Sequence, residues 1–257
     1  KNTVAPQVTA GLNTIAVRIP NHPVALALIE AAGAPIAAPS ANRSGRPSPT
    51  LVSHVWEDLG GRIEAIVDGG ATGVGLESTV AAVRGERIDI LRPGGITVPM
   101  LREMGAIVTH EQKASEGLLT PRSPGVKYTH YAPRGMLTLV KGHDVKAVHE
   151  RIQVEINKSA DRGERTGILT YAEHAPYYQA DVVLSCGQRH RPEETARTLY
   201  AALREMDHRG VTYILCDLNF FITEMSRREF DEDYEHHLLA AVENRLLKAA
   251  GHQVVVV

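Results

Sequence analysis

Residues 38–50 read Ala-Pro-Ser-Ala-Asn-Arg-Ser-Gly-Arg-Pro-Ser-Pro-Thr, a stretch with four hydroxyl side chains, one carboxamide, one glycine and three prolines. An apolar run leads into it from residue 34, and a helix-like run follows it from residue 51. A strand that ends in a stiff, hydroxyl-rich loop before a helix is suited to bind an anion, because backbone N–H groups and short donors converge there. The alternative is a proline-rich turn in which Ser48 or Thr50 caps the helix.

The first half of the chain mixes strand-like and helix-like segments around this loop. Apolar runs and polar–apolar alternation predict strands at 14–19, 35–38 and 63–67, and a hairpin made by 78–83 and 87–91. Helical spacing predicts helices at 24–32, 52–59 and 98–104. Strands outnumber helices, so this half is predicted to be an α+β domain with a twisted mixed sheet.

The second half alternates strand and helix. Short apolar strands are predicted at 136–140, 166–169, 182–185 and 213–216, with helices at 145–156, 193–206 and 234–250. This alternation is typical of a doubly wound, Rossmann-like α/β domain with a parallel sheet. The first strand is not followed by G-x-G-x-x-G, so we assign no dinucleotide to this half. The predicted division is a first domain at 1–108, a proline-punctuated linker at 109–135 and a second domain at 136–257.

Composition narrows the class of protein. The 257 residues carry a net charge of −2, so no global basic field argues for nucleic-acid binding. Two separated cysteines, Cys186 and Cys216, indicate free thiols and a cytoplasmic location rather than a disulfide framework. No apolar run approaches the roughly 20 residues of a membrane span. His174 and the pair at 236–237 have no partner at ligand spacing, so we expect surface histidines and no metal site.

Five short blocks stand out along the chain. They are Asn-Thr-Ile-Ala-Val-Arg at 13–18, Pro-Ser-Ala-Asn-Arg-Ser-Gly-Arg-Pro-Ser-Pro-Thr at 39–50, Glu-Ser-Thr-Val at 77–80, Leu-Arg-Pro-Gly at 91–94 and Ser-Pro-Gly-Val-Lys-Tyr-Thr-His-Tyr-Ala-Pro at 123–133. In this order they resemble the YrdC-like domain and interdomain linker of the long, two-domain threonylcarbamoyl-AMP synthases. The likeness is close up to about residue 135 and looser in the accessory domain that follows.

The resemblance implies a nucleotidyltransferase. Threonine and bicarbonate would form a carbamate whose carboxylate attacks the α-phosphate of ATP and releases pyrophosphate. The product would pass to a tRNA threonylcarbamoyl-transferase complex for threonylcarbamoyladenosine modification of tRNA. Such a reaction needs positioning and charge neutralisation rather than a protein nucleophile, and Mg²⁺ held mainly by phosphates and water is the implied metal. No catalytic residue or protein metal ligand is therefore assigned.

The resemblance also implies which residues bind the substrates. The implied ATP contacts are Thr14, Ser40, Asn42, Ser48, Arg92, Tyr128 and Tyr131. The implied threonine contacts are Arg18, Ala38 and Ser78. Arg18 would pair with the threonine carboxylate, for which a bidentate guanidinium is well shaped. Its alternative is a surface charge, and the choice between Tyr128 and Tyr131 as the nucleotide contact stays open.

Two alternatives remain at the level of function. In the family a strand-rich segment with a lysine–arginine pair for ATP comes before the first block, and we expect this segment to be absent from the chain. That leaves open whether the chain is active alone. A non-catalytic module that binds nucleotide or double-stranded RNA is therefore the second hypothesis. A carbamoyl transferase of the hydrogenase-maturation kind is disfavoured, because two isolated cysteines cannot form its zinc motifs.

Overall fold

The computed structural model describes residues 4–9, 11–110, 130–218 and 234–257. Its helices are α1 Pro6–Thr9, α2 Pro23–Ala32, α3 Val52–Leu59, α4 Val98–Glu103, α5 Val145–Asp161, α6 Pro192–His208 and α7 Tyr234–Ala249, with one turn of 3-10 helix at Ala175–Tyr177. Its strands are β1 Val80–Arg84, β2 Arg87–Arg92, β3 Ile107–His110, β4 Met136–Lys141, β5 Thr166–Thr170, β6 Val182–Ser185, β7 Tyr213–Cys216 and β8 Val254–Val256. No described helix is long and apolar enough to cross a membrane.

Local sequence explains where several helices begin and end. Helix α2 starts with Pro23 at its first position, and its N-cap His22 accepts a hydrogen bond from the Ala25 N–H. It ends at Gly33, whose φ of 60° lies in the left-handed region that glycine adopts without strain. The Asp144 carboxylate caps α5 by accepting the Lys146 N–H at 2.9 Å.

The second sheet has five parallel strands in the order β6-β5-β7-β4-β8. All residues of β5 and β7 are buried, which agrees with central strands covered on both faces. Helix α5 packs on one face through Val148, Ile152 and Ile156, whereas α6 and α7 belong to the core on the other face. The predicted doubly wound α/β fold is confirmed. Among the described elements of this half, the sequence analysis missed the 3-10 turn Ala175–Tyr177 and the short edge strand β8.

The first sheet is small and mixed, as predicted. Strands β1 and β2 form the predicted antiparallel hairpin, and β3 adds a parallel neighbour to β2. Strand β3 was not predicted, because its four residues follow α4 closely and carry no turn signal of their own. This sheet places Arg92, the last residue of β2, beside residues 77–79.

Three predicted strands are wrong. Residues 14–19, 35–38 and 63–67 have no assigned strand in the described structure, and nearly all of their apolar side chains are exposed. Val17 is 83% exposed and Ile19 is 85% exposed. Alternation gives a segment one apolar face, but a strand also needs a neighbour for its backbone hydrogen bonds. No described strand pairs with these segments. The domain limits at 108 and 135 stay a prediction.

Candidate functional site

The site centres on Glu77, which lies where the two halves of the chain meet. Its carboxylate accepts hydrogen bonds from Ser48 Oγ at 2.5 Å, Tyr200 Oη at 2.9 and 3.0 Å and Arg245 Nε at 2.9 Å. Beside it is a cavity of about 180 Å³. The cavity is lined by Ser40, Ala41, Ser48, Pro49, Thr72, Gly75, Leu76, Glu77 and Tyr200. The serine loop, defined here as residues 38–50, therefore forms one wall, and helix α6 forms another.

Charge around Glu77 is strongly asymmetric. Burial by itself raises the pKa of Glu77, but the Arg245 charge and the hydrogen bonds from Ser48 and Arg245 outweigh it, so the pKa is lowered. Burial lowers the pKa of the Arg92 guanidinium, with Arg245 next in weight. Burial, followed by repulsion from Arg245 and Arg92, lowers the pKa of Lys248 to about 8. One carboxylate thus faces three basic side chains, a balance that favours an anionic ligand.

Side chains and backbone hold the serine loop in one shape. Asn42 Nδ2 donates to the Arg43 carbonyl at 2.8 Å and to the Arg46 carbonyl at 3.2 Å. The Ala132 N–H donates to the Gly45 carbonyl at 2.9 Å, so the end of the linker is fixed to the loop. Asn42 therefore orders the loop from within.

The loop does not cap helix α3 in the way the alternative reading requires. The N-cap of α3 is Leu51, which makes no side-chain cap hydrogen bond. Instead the backbone N–H of Thr50, in the loop, donates to Nδ1 of His54, in the first turn of α3, at 3.2 Å. Burial, followed by the charge of Arg204, lowers the pKa of His54. A lowered pKa favours the neutral imidazole, which can accept this hydrogen bond at Nδ1. The hydroxyl of Ser48 remains directed at Glu77.

Helix α6 supports the loop from behind through Arg204. This guanidinium is 1% exposed and donates to the Pro47 carbonyl and to Asp58 Oδ2, both at 2.6 Å. Burial raises the pKa of Asp58, but the hydrogen bond and charge of Arg204 outweigh it and the pKa is lowered. Arg43 adds its backbone N–H to the same carboxylate at 3.3 Å. The serine loop is thus bonded to a helix from the other half of the chain.

Two glycines allow the close approach of these parts. A Cβ on Gly75, whose φ is +82°, would lie 2.4 Å from the Cα of Arg197 on α6. A Cβ on Gly94 would lie 2.3 Å from the Thr79 backbone nitrogen. Any side chain at either position would push the backbone segments apart, because real Cβ contacts are never so short.

Several of the predicted substrate contacts lie together. Arg18 Nη1 donates to Ser78 Oγ at 3.1 Å, and Arg92 donates to the Ser78 carbonyl at 2.8 and 3.2 Å. Ser40 and Ser48 line the cavity. Ser78 therefore links a guanidinium predicted for threonine to one predicted for ATP.

The remaining predicted residues are less well defined by contacts. Thr14 and Ala38 are exposed and lie in two of the segments that form no strand. Tyr128 lies outside the described residues. Tyr131 is 2% exposed, with its ring centroid 5.4 Å from that of Tyr200. Burial, followed by the charge of Glu77, raises its pKa, so its hydroxyl is neutral and can act as a donor.

The sequence analysis missed the contribution of the second half. Tyr200 and Arg204 lie four residues apart on α6, and Arg245 lies on α7; all three are at most 1% exposed. For Arg245 the sequence contains an indication of this role, because Arg245 interrupts the apolar stripe that runs through Val242 and Leu246. A charged residue within a buried stripe indicates a specific partner, since an unpaired buried charge is costly.

Two family models match almost the whole chain. One, described as telomere recombination, matches residues 1–94. The other, described as the C-terminal domain of threonylcarbamoyl-AMP synthase, matches residues 96–251.

Curated relatives and solved structures agree with these models. A threonylcarbamoyl-AMP synthase of Bacillus subtilis is 44% identical over 99% of this chain and 68% of its own length. One from Pyrococcus abyssi is 40% identical over 99% of this chain and 69% of its own. The crystal structure of P. abyssi Sua5 complexed with L-threonine aligns over 100% of this chain and 70% of that protein, with 39% identity and a TM-score of 0.82. The chain therefore belongs to the threonylcarbamoyl-AMP synthase family.

Proposed function

We propose that this chain forms threonylcarbamoyl-AMP and pyrophosphate from L-threonine, bicarbonate and ATP at the cavity beside Glu77. One observation carries the proposal: next to a hydroxyl-lined cavity, Arg18 donates to the Ser78 hydroxyl and Arg92 donates to the Ser78 carbonyl. This arrangement would hold an amino acid and a nucleotide side by side. The product would serve threonylcarbamoyladenosine modification of tRNA through a partner transferase.

The amino-acid end of the site is formed by Arg18 and Ser78. Arg18 is exposed, and one of its N–H groups donates to Ser78 Oγ. The guanidinium has further N–H donors that could bind a carboxylate. Ala38, at the entrance of the serine loop, would leave room for the threonine side chain. The P. abyssi relative was crystallised with L-threonine, which supports the same ligand here.

The nucleotide end is formed by the serine loop and the basic side chains around Glu77. Ser40 and Ser48 would bind phosphate or ribose oxygens, with Thr14 and Asn42 nearby. Arg92 and Lys248 would counter the phosphate charge, because Glu77 is already paired with Arg245. Tyr131 is packed against Tyr200 at the cavity wall and would contact the nucleotide from the linker side, a role it would share with Tyr128.

The reaction requires the protein to position the substrates and to neutralise their negative charge. When threonine carbamate lies beside the α-phosphate, two anions must approach each other, and Arg18 and Arg92 reduce their repulsion. Among the described lining residues Glu77 is the one acid, and it is engaged by Ser48, Tyr200 and Arg245. The residues therefore fit Mg²⁺ that enters with the triphosphate and keeps phosphate oxygens and water as ligands. Bound in that way, the ion would neutralise charge on the leaving pyrophosphate.

The two thiols support a cytoplasmic setting for this function. Cys186 and Cys216 are both free and buried, and burial raises the pKa of Cys186 to about 12, so it is a poor nucleophile. Free thiols of this kind support a reducing compartment such as the cytoplasm.

Calorimetric titration with ATP and with L-threonine, followed by a pyrophosphate-release assay with bicarbonate, tests the proposal. We expect both ligands to bind and pyrophosphate to appear only when all three substrates are present. Ser48→Ala should weaken ATP binding about tenfold, because it removes a polar contact in a buried site. Ser53→Ala, an exposed serine on α3, is the matched control and should change nothing.

Each other result has a defined meaning. Binding of both ligands without pyrophosphate release would favour the non-catalytic binding module. Equal ATP affinity in wild type and Ser48→Ala would place the nucleotide outside the serine loop and overturn the assignment.

A further inference from the structure

A second cluster of potential ligand side chains lies within the second half of the chain. It consists of His149 on α5, His174 after β5 and Asp217 directly after β7. His174 Nδ1 lies 2.9 Å and His149 Nε2 lies 3.3 Å from the same oxygen, Asp217 Oδ2. Asp217 is 1% exposed and His174 is 9% exposed. The prediction that His174 is a surface histidine is therefore wrong.

We propose that His149, His174 and Asp217 form a binding site for a divalent transition-metal ion of the zinc type. Their ligand atoms all lie within 4.8 Å of one another. Metal–ligand distances of about 2.0–2.1 Å in a tetrahedron place ligand atoms about 3.3 Å apart, close to the 2.9 and 3.3 Å between the two imidazole nitrogens and Asp217 Oδ2. Two imidazoles and one carboxylate are a donor set that zinc accepts, with a fourth position left for water or substrate.

One of the three ligand atoms is poorly satisfied by hydrogen bonds among the described residues. His149 Nε2 is buried and lies 3.3 Å from Asp217 Oδ2, but it has no well-aligned hydrogen bond to any group in the described part of the chain. The same carboxylate oxygen already receives Thr170 Oγ1 at 3.2 Å and Tyr178 Oη at 2.7 Å as donors. A metal ion between the two imidazoles and the carboxylate would give this nitrogen the partner that the hydrogen-bond network does not provide.

Surrounding groups fix the ligands in place. Thr170 and Tyr178 orient the Asp217 carboxylate, as outer partners commonly do for metal ligands. The His149 ring stacks on Tyr177 with centroids 5.2 Å apart, and it meets the His174 ring edge-on at 4.7 Å. Preorganisation of this kind lowers the ordering cost of metal binding.

The position of the cluster in the fold also indicates a ligand site. Strands β5 and β7 are neighbours, but the chain leaves β5 toward β6 at one edge and leaves β7 toward β8 at the other. Ligands of open parallel sheets bind at the carboxyl ends of strands where the connections diverge in this way. His174 and Asp217 follow those two strand ends. The site is separate from the magnesium expected with ATP, and the proposal does not depend on the nucleotide function.

The test is metal binding by the full chain after treatment with a chelator. Calorimetric titration with Zn²⁺ should give one equivalent per chain, and Co²⁺ should give the visible bands of a tetrahedral site. His149→Ala should weaken Zn²⁺ binding at least tenfold, and Asp217→Asn should do the same. His190→Ala, which removes an exposed histidine outside the cluster, should bind like wild type.

A second readout separates loss of a ligand from loss of the fold. Zn²⁺ should raise the Tm of wild type and leave the Tm of folded His149→Ala unchanged, because only binding to the native state stabilises. Tyr178→Phe should weaken binding about 10–100-fold and keep the one-to-one stoichiometry, as expected for an outer partner. The proposal is overturned if wild type takes up no stoichiometric Zn²⁺, or if His149→Ala and wild type bind it equally.

Discussion

The two halves of the molecule are built in different ways. In the first half, helix α2 has no buried residue, the sheet has three short strands, and apolar side chains such as Val17 and Ile36 are exposed. In the second half, a five-stranded parallel sheet lies between helices and forms a dense core. The difference indicates that the second half provides the rigid core, and that the serine loop and Glu77 of the first half are held against it by Tyr200, Arg204 and Arg245.

The largest expected effect comes from cutting that support. Arg245→Ala removes a fully buried guanidinium together with its hydrogen bonds to the Glu77 carboxylate and to the carbonyls of Glu77 and Pro93, so we expect a loss of about 3–5 kcal/mol in unfolding free energy together with loss of ATP binding. Urea unfolding and calorimetry measure the two effects. Arg209→Ala, a half-exposed arginine at the end of α6, is the control. Unchanged stability in Arg245→Ala would mean that the two halves are independent.

A pair of truncations sharpens the contrast in packing. Ile152→Ala removes a fully buried side chain from the second core and should cost about 2–5 kcal/mol. Val17→Ala in the first half should stay within about 0.5 kcal/mol, because Val17 is 83% exposed. Both values are measured by denaturant unfolding, with the same dependence of the unfolding free energy on denaturant concentration used for the two variants. Similar losses in the two variants would contradict the assignment of stability to the second half.

A smaller effect separates the two ligands within the first half. Arg18→Ala should weaken L-threonine binding by about 1.5–3 kcal/mol, the range for hydrogen bonds to charged groups, while ATP binding is retained. Calorimetric titration with each ligand measures this. Arg62→Ala, an exposed arginine beyond α3, serves as the charge-matched control. Equal loss of both ligands would show that Arg18 supports the fold of the site and does not select threonine.

The smallest expected effect is a pH dependence at the contact between the halves. The folded-state pKa of Lys248 is about 8, below its ordinary 10.5, because of burial and then the charges of Arg245 and Arg92. Between these values the unfolded chain binds more protons, so this group's contribution to stability rises with pH and is lowest below pH 8. We expect Lys248→Met to remove about 1–2 kcal/mol of this rise. Unfolding of both proteins at several pH values checks it, and parallel curves would refute it.

The second half could be predicted from sequence because its signals are local. Each strand is a short apolar run and each helix has its own apolar stripe, and the order β–α–β restricts the topology. Segment 14–19 has an equally clear alternation, yet no described strand pairs with it. Alternation states which face is apolar and does not provide the partner.

The site was predictable only in part for the same reason. Ser40, Ser48 and Arg92 stand in recognisable blocks, and the structure brings the two serines to the cavity and Arg92 to Ser78. Tyr200 and Arg245 come from helices more than a hundred residues later in the chain, and no local pattern connects them to Glu77. His174 was misread because its neighbours in space, His149 and Asp217, are distant in sequence.

The bonds from Arg204 to the serine loop and from Arg245 to Glu77 have a thermodynamic consequence. At the proposed nucleotide site, closer packing of helices α6 and α7 against the serine loop would increase nucleotide affinity. Bound nucleotide would then stabilise that packing by the same factor, since coupling between two equilibria is mutual. The second half would in this sense act as an effector of nucleotide binding that is covalently linked to the site it regulates.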